Sequence, residues 1–315
     1  MQPNNSDHQT PPKPKVRLAD LKDALILTGI FYAIAFTLYA VTGHLFYLFN
    51  FLYIGTSIGL GIGLYAALPR KQKGTGRKLA QFLVGSYMLL FLGFMQFENM
   101  QLEGFFFYLL TGIFAGSVIH YLVAKVFGPL IFNRGWCGWA CWTAAILDLL
   151  PYNKKLPGRQ PKLGRLRVVH FFASLALVLI LWLAFQYRPA IQSNHELYWL
   201  LAGNLVYYAA GIGLALYFKD NRAFCKYLCP IPTLQKIPAR FSLMKIAGKA
   251  DQCTNCGLCE KSCPMDIRIT DYILNNQRVL SSECIYCFEC VNACPHQILD
   301  SSIALDGAWQ DSFVI

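Results

Sequence analysis

The chain has 315 residues, of which 55% are apolar, 15% aromatic and only 14% charged, and it carries a formal charge of +11 and twelve cysteines. That composition excludes a soluble globule, a disordered chain or a small secreted domain as an account of the whole, and it places much of the chain in lipid. The positive charge alone would fit a nucleic-acid binder, so its distribution along the chain decides.

Residues 1–23 are polar, contain Pro3, Pro11, Pro12 and Pro14, and hold too short an apolar run for a secretory signal, so a cytoplasmic tail is expected. From residue 24 to residue 68 no Asp, Glu, Lys or Arg occurs, and these 45 residues at about 1.5 Å each are roughly twice the ~30 Å hydrocarbon thickness. Two helices with a tight turn near 43–50 are predicted there, and the alternating Gly59, Gly61 and Gly63 predict close helix packing. Further apolar stretches at 79–97, 105–124, 168–187 and 197–218 complete six predicted spans.

The flanking charges orient these spans. Lys13, Lys15, Arg17 and Lys22 precede the first; Arg70, Lys71, Lys73, Arg77 and Lys78 separate the second and third; Arg134, Lys154, Lys155, Arg159, Lys162, Arg165 and Arg167 separate the fourth and fifth. The other side holds Arg188 with Glu98, Glu103 and Glu196. This asymmetry predicts both termini in the cytoplasm, which for a bacterial-type cell means a bundle in the inner membrane. Residues 245–315 are polar and cysteine-rich, with five basic and nine acidic side chains, so the tail carries −4 and the membrane half +15. The charge is a topology signal and not a nucleic-acid footprint. Attraction between basic loops and acidic tail predicts that the tail docks on them, in a way that salt should weaken.

Eight cysteines of that tail form two copies of C-x2-C-x2-C-x3-C-P: Cys253, Cys256, Cys259, Cys263 with Pro264, and Cys284, Cys287, Cys290, Cys294 with Pro295. Three closely spaced thiolates wrap one face of a cubane, and the fourth reaches the other cluster. The expected ligand sets are therefore Cys253, Cys256, Cys259 and Cys294 for one 4Fe-4S cluster, and Cys284, Cys287, Cys290 and Cys263 for the second. A disulfide framework is at odds with a reducing cytoplasm, and zinc takes paired C-x2-C knuckles instead of this run. The expected organisation is a tail at 1–23, a membrane domain at 24–244, a two-cluster bacterial-ferredoxin-like α+β domain at 245–300 and a second tail at 301–315.

The other four cysteines repeat too. Asn133-Arg134-Gly135-Trp136-Cys137-x3-Cys141 follows the fourth span, and Asn221-Arg222-Ala223-Phe224-Cys225-x3-Cys229 follows the sixth, which points to a duplicated unit. If these segments are helical, cysteines four apart share a face, and Asp148 lies on the face of Cys137. Four convergent thiolates would hold a third iron–sulfur centre or another metal, line a redox or quinone contact without metal, or simply pack as buried thiols. Arg134 and Arg222 would neutralise a bound anion or anchor at the membrane surface.

His120 and His170 fall in or near the predicted spans; they would hydrogen-bond a quinone or pass its protons, ligate a b haem as a pair, or serve a hydrogen-bonded structural or interfacial role, the last being the default reading. Trp136, Trp139 and Trp142 read as an interfacial aromatic belt. No NAD fingerprint in a strand-turn-helix context and no flavin-attachment segment occurs.

Across roughly residues 105–300 these motifs resemble the membrane-bound polyferredoxins of the NapH, NosR and CcoG type, which combine a helix bundle, C-x3-C-P blocks and a cytoplasmic two-cluster ferredoxin domain. Cys229-Pro230 keeps that pattern, whereas Cys141-Trp142 departs from it. The resemblance implies an electron conduit. The expected function is electron transfer between the quinone pool and a partner redox protein, as a component of a quinol dehydrogenase. The alternative is a redox assembly or maturation factor that reduces a metal or senses redox state for a respiratory enzyme.

Overall fold

The computed structural model describes residues 17–113, 116–152, 159–188, 190 and 193–306. The basic Lys13, Lys15, Lys154 and Lys155, and the tails at 1–16 and 307–315, lie outside the described residues. The chain divides into two compact units between residues 76 and 77.

The first unit is a helical hairpin, α1 (Lys22–Thr42) and α2 (Leu45–Ala67). The turn between them is only Gly43 and His44, tighter than the sequence implied, because Gly43 takes the left-handed φ of 69° that ends α1. Gly55 lies against Phe31 and Gly59 against Thr28, so a side chain at either glycine would part the two helices.

α3 (Lys73–Ser86) continues in π-helical turns over Tyr87–Met95. After it the chain meets a loop at 96–101 whose Glu98, Asn99, Met100 and Gln101 are all buried. α4 (Leu102–Thr111) and α5 (Gly116–Tyr121) follow, the latter running on through a π-helical segment Leu122–Phe127 into α6 (Gly128–Phe132). The expected single span at 105–124 is thus a pair of helical pieces bent by 116°. Glu98 accounts for part of the break: its Oε1 accepts a hydrogen bond from the Ser117 N–H at 2.5 Å, and a Cβ at Gly116 would meet its carboxylate at 2.7 Å. Glu196 is buried as well and accepts a hydrogen bond from Tyr108, so two of the three acids assigned to the outer side are buried in the protein.

Short helices α7 (Gly135–Trp139), α8 (Trp142–Leu147) and α9 (Pro161–Gly164) lead to the long α10 (Leu166–Leu183) and α11 (Asn194–Phe218). Among the described residues five helices are long and apolar enough to cross a membrane, and the bent pair makes six if it counts as one crossing. α12 (Ala223–Tyr227) and α13 (Ile231–Ala239) then carry the chain to β1 (Met244–Gly248).

The cysteine-rich part is built on β1 paired antiparallel with β2 (Leu299–Ile303), Met244 opposite Ile303 and Gly248 opposite Leu299. Between the strands lie α14 (Leu258–Ser262), α15 (Ile269–Leu274) and α16 (Glu289–Ala293). Ile246, Met265, Ile269, Ile273, Val279 and Ile285 form its core. β2 runs past residue 300, and Asp306 is paired with both Lys245 and Arg278, so ordered structure continues beyond the boundary expected from the cysteines alone.

Candidate iron–sulfur sites

The two cysteine runs take the same backbone path. Asn255 and Tyr286 (φ 51° and 53°), Gly257 and Phe288 (69° and 61°), and Asp266 and Gln297 (53° and 55°) are left-handed at matching positions. Such turns direct backbone N–H groups toward a bound anion. Cys263 and Cys294, each at φ −70° and ψ 114°, leave their helices extended and turn away from their own runs.

As a result each fourth cysteine joins the other run. One apolar cavity is lined by Cys284, Cys287 and Cys290 together with Cys263, and a second by Cys253, Cys256 and Cys259 together with Cys294. All twelve cysteines are free thiols. Among the described residues no group of three or more His, Cys, Asp or Glu side chains converges on a single-ion site. Thiols that ring a cavity without meeting at a point fit a cubane better than one tetrahedral ion. Burial pushes Cys284 and Cys287 up to about 12, so binding in that cavity is coupled to proton release.

The four remaining cysteines are also drawn together. Arg222 Nη1 lies 3.1 Å from the Cys137 carbonyl and 4.0 Å from Cys225 Sγ, which brings the two blocks together, and burial, with Cys225, Cys141 and Cys137 adding to it, pushes the Cys229 thiol well above the usual value. The shared helix face did not materialise. α7 ends at Trp139, Cys141 precedes the first residue of α8, and Cys229 lies beyond the end of α12. Each C-x3-C pair therefore straddles a helix end, and Asp148 contributes through ion pairs instead.

The duplicated Asn-Arg steps do different work in the two blocks. Asn133 donates to the Ser281 carbonyl at 3.2 Å, Arg134 N–H donates to the Cys284 carbonyl at 3.1 Å, and the Arg134 guanidinium is paired with Glu283. The first block thus holds the ferredoxin part. Asn221 donates to the Leu150 carbonyl at 2.5 Å, and Arg222 is paired with Asp148 and donates to the Cys137 carbonyl at 3.1 Å. The second block thus holds the first. Both arginines are almost fully buried, which removes the surface-anchor reading.

The expected docking of the acidic part on basic loops takes the form of buried ion pairs. Glu283 is met by Arg134, Arg159, Arg167 and Lys236, Arg77 bridges Asp148 and Glu289, and Lys226 holds Asp220 and Asp266. Burial pushes the Glu283 carboxyl up, but Arg134, Arg167 and Arg159 outweigh it and hold it well below the usual value. Trp139 donates to the Tyr286 carbonyl at 2.8 Å, and a Cβ at Gly138 would strike the Ile285 carbonyl, so the two segments touch backbone to backbone.

Lys125, Arg134 and Arg222 lie within electrostatic reach of these thiols, with Asp148 as the acid beside Cys225. A buried excess of positive charge suits a ligand set of thiolates. Gln235 adds to that fit: its Oε1 accepts from Cys137 Sγ at 3.1 Å, while its buried Nε2 has no partner among the described residues. Rotated, the amide would donate to a thiolate or bound sulfide.

His120 and His170 are held separately. His120 packs edge-on against Trp136 at 4.8 Å, with its buried Nε2 unpartnered among the described residues, whereas His170 Nδ1 lies 2.9 Å from the Leu228 carbonyl. The tryptophans face inward as well as outward: Trp142 donates to Asn204 Oδ1 at 3.0 Å, and Trp136 carries the Lys125 ammonium 5.0 Å from its ring centroid. Lys125, Gln235 and Glu283 are the residues that sequence reasoning passed over. Glu283 had one local signal, its place directly before Cys284.

A membrane helix system carrying two paired cysteine runs and two C-x3-C blocks defines a membrane-bound iron–sulfur electron-transfer protein. A family model described as a 4Fe-4S dicluster domain matches residues 245–295, and one described as a 4Fe-4S binding domain matches 114–160 and 205–248, the stretches that hold the C-x3-C blocks. The chain is 31% identical to the uncharacterized protein MJ0749 of Methanocaldococcus jannaschii over 59% of its own length and 71% of that protein. It is 27% identical to the putative electron transport protein YccM of Escherichia coli (55% and 52% of the two chains). It is 26% identical to the ferredoxin-type protein NapH of Haemophilus influenzae (61% and 68%). No solved structure matches it. The chain belongs to the family of membrane-bound 4Fe-4S polyferredoxins that includes these relatives.

Proposed function

We propose that the chain is an inner-membrane protein, both termini cytoplasmic, that passes electrons between the quinone pool and a partner redox protein. In this reading Cys253, Cys256, Cys259 and Cys294 hold one 4Fe-4S cluster, and Cys263, Cys284, Cys287 and Cys290 hold a second. Cys137, Cys141, Cys225 and Cys229 hold a third iron–sulfur centre. When bound, such clusters supply one-electron transfer at potentials set by charge, hydrogen bonding and exposure.

The observation that carries the reading is the seating of the first C-x3-C block on the second ferredoxin run. Cys137 shares one apolar core with Cys263, Cys287 and Cys290, and Arg134 and Trp139 clamp the loop at 284–286. The ion pairs at Glu283, Glu289 and Asp266 keep the ferredoxin part in that seat, so its position does not depend on a chance encounter. In this reading a quinone head group meets His120 Nε2 and Trp136 Nε1, buried next to Cys137 and without a partner among the described residues, while Tyr207 OH is a further buried group without one. His170, whose ring packs on Tyr207, orients that tyrosine.

Anaerobic purification with iron and sulfide quantification, followed by EPR during quinol titration, tests the reading. About twelve irons per chain, four for each of three cubanes, with quinol-dependent reduction is the expected result. About eight irons would remove the third centre, and iron without any response to quinol would remove the link to the quinone pool.

A further inference from the structure

Lys125 ends the apolar stretch 105–124, where a lysine is expected to reach for the membrane surface. It does not. Its side chain is buried, with 4% of its surface exposed. The π-helical segment Leu122–Phe127 that contains it shifts the register of the helix, a device found disproportionately at functional sites.

No carboxylate is paired with Lys125 among the described residues. Its ammonium stands over the Trp136 ring, and His120 packs against the same ring. Trp136 directly precedes Cys137, and the groups that act most strongly on the Lys125 charge are Cys137, Cys141 and Cys229, with Arg134 and, across the Trp136 ring, His120. A buried ammonium is costly without an anion, and a cation–π contact offsets only part of that cost. Arg134 and His120 supply no negative charge. The thiols are what remain.

We propose that Lys125 is the counter-charge of the four-thiol site: it stabilises the anionic ligand set of Cys137, Cys141, Cys225 and Cys229 and raises the reduction potential of the centre held there. The proposal rests on the reading that these cysteines hold an iron–sulfur centre. A fixed positive charge favours the more negative, reduced state, so its removal moves the potential down.

The test uses the full-length protein, purified anaerobically in detergent, as wild type, Lys125→Met, Lys125→Gln and Lys125→Arg. Iron and sulfide are quantified, and each EPR signal is followed in a redox titration. Lys125→Met and Lys125→Gln are expected to lower the midpoint of the four-thiol centre, or to lose about four of twelve irons, with both ferredoxin signals unchanged. Lys125→Arg, which keeps the charge, is expected to retain both the iron and the potential. About twelve irons with an unmoved midpoint in the neutral variants overturns the proposal and leaves the third centre standing. An equal shift in Lys125→Arg also overturns it, because shape and not charge would then be responsible. About eight irons in the wild type removes the third centre, and the proposal with it.

Discussion

Arg222 grips Asp148 through two hydrogen bonds, Nε to Oδ1 at 2.7 Å and Nη2 to Oδ2 at 2.5 Å, and so ties the second C-x3-C block to the end of the first. Arg77 reaches the same carboxylate at 3.2 Å. Burial pushes Asp148 up, but the two guanidiniums prevail and hold it below its usual value. Replacing it by Asn leaves the buried Arg222 without its carboxylate partner and Arg77 with Glu289 alone. Breaking one side of a buried pair costs about 3–5 kcal/mol. Asp148→Asn is therefore expected to lower the melting temperature in detergent and to release the iron of the four-thiol site before that of the ferredoxin part. Retention of all iron with an unchanged melt would show that the joint is held elsewhere.

Glu283 gathers four cations, and its response to pH has a definite sign. A carboxylate held below its usual value contributes stability above that value, and the contribution is lost only as pH falls through the lowered one. Docking of the ferredoxin part is therefore expected to survive to pH values at which ordinary carboxylates are protonated. Glu283→Gln is expected to expose the loop at 281–287 to hydrogen exchange at neutral pH. Because the pairs are buried, 1 M salt should change the wild-type exchange little, which replaces the salt-sensitive docking that net charge alone implied.

Glu98 shows the opposite behaviour. Burial raises its carboxyl; the Ser117 N–H works against that and Glu196 adds to it. A raised acid favours the folded state below its unfolded value, and that contribution is lost as pH rises through the raised one. Glu98→Gln keeps an acceptor for the Ser117 N–H and removes the charge. It is expected to melt above the wild type at pH 8 and to match it near pH 4; a variant less stable at both would show that the ionised carboxylate is needed at the helix break.

The sequence made the cysteine chemistry legible because its spacing is local: a run of eleven residues contains the three corners of a cubane and the turn away from it. The docking was only half legible. Net charge foretold the attraction, but the pairing of Arg134 with Glu283 lies 149 residues apart and depends on how Asn133 and Ser281 set the two backbones together. Hydropathy read 105–124 as one span because it counts apolar residues and does not register Glu98 at Gly116 and Ser117, where the helix restarts. Lys125 was hidden by the same average. A charge at the end of an apolar run reads as a flank, and its burial within the π-helical segment is visible only in the structure.

The exchange of fourth cysteines gives the most discriminating prediction. Cys263 follows the first run in the chain, yet it lines the cavity of Cys284, Cys287 and Cys290; Cys294 follows the second run, yet it lines the cavity of Cys253, Cys256 and Cys259. Cys263→Ser is therefore expected to perturb the EPR signal that Cys287→Ser abolishes, and Cys294→Ser the one that Cys256→Ser abolishes. The two signals separate by environment as well. Cys256 is exposed, whereas Cys287 and Cys290 are buried, so a soluble paramagnetic relaxing agent should broaden the first signal and spare the second. If Cys263→Ser instead altered the signal lost in Cys256→Ser, each run would keep its own fourth ligand, and the extended backbone at Cys263 and Cys294 would need another explanation.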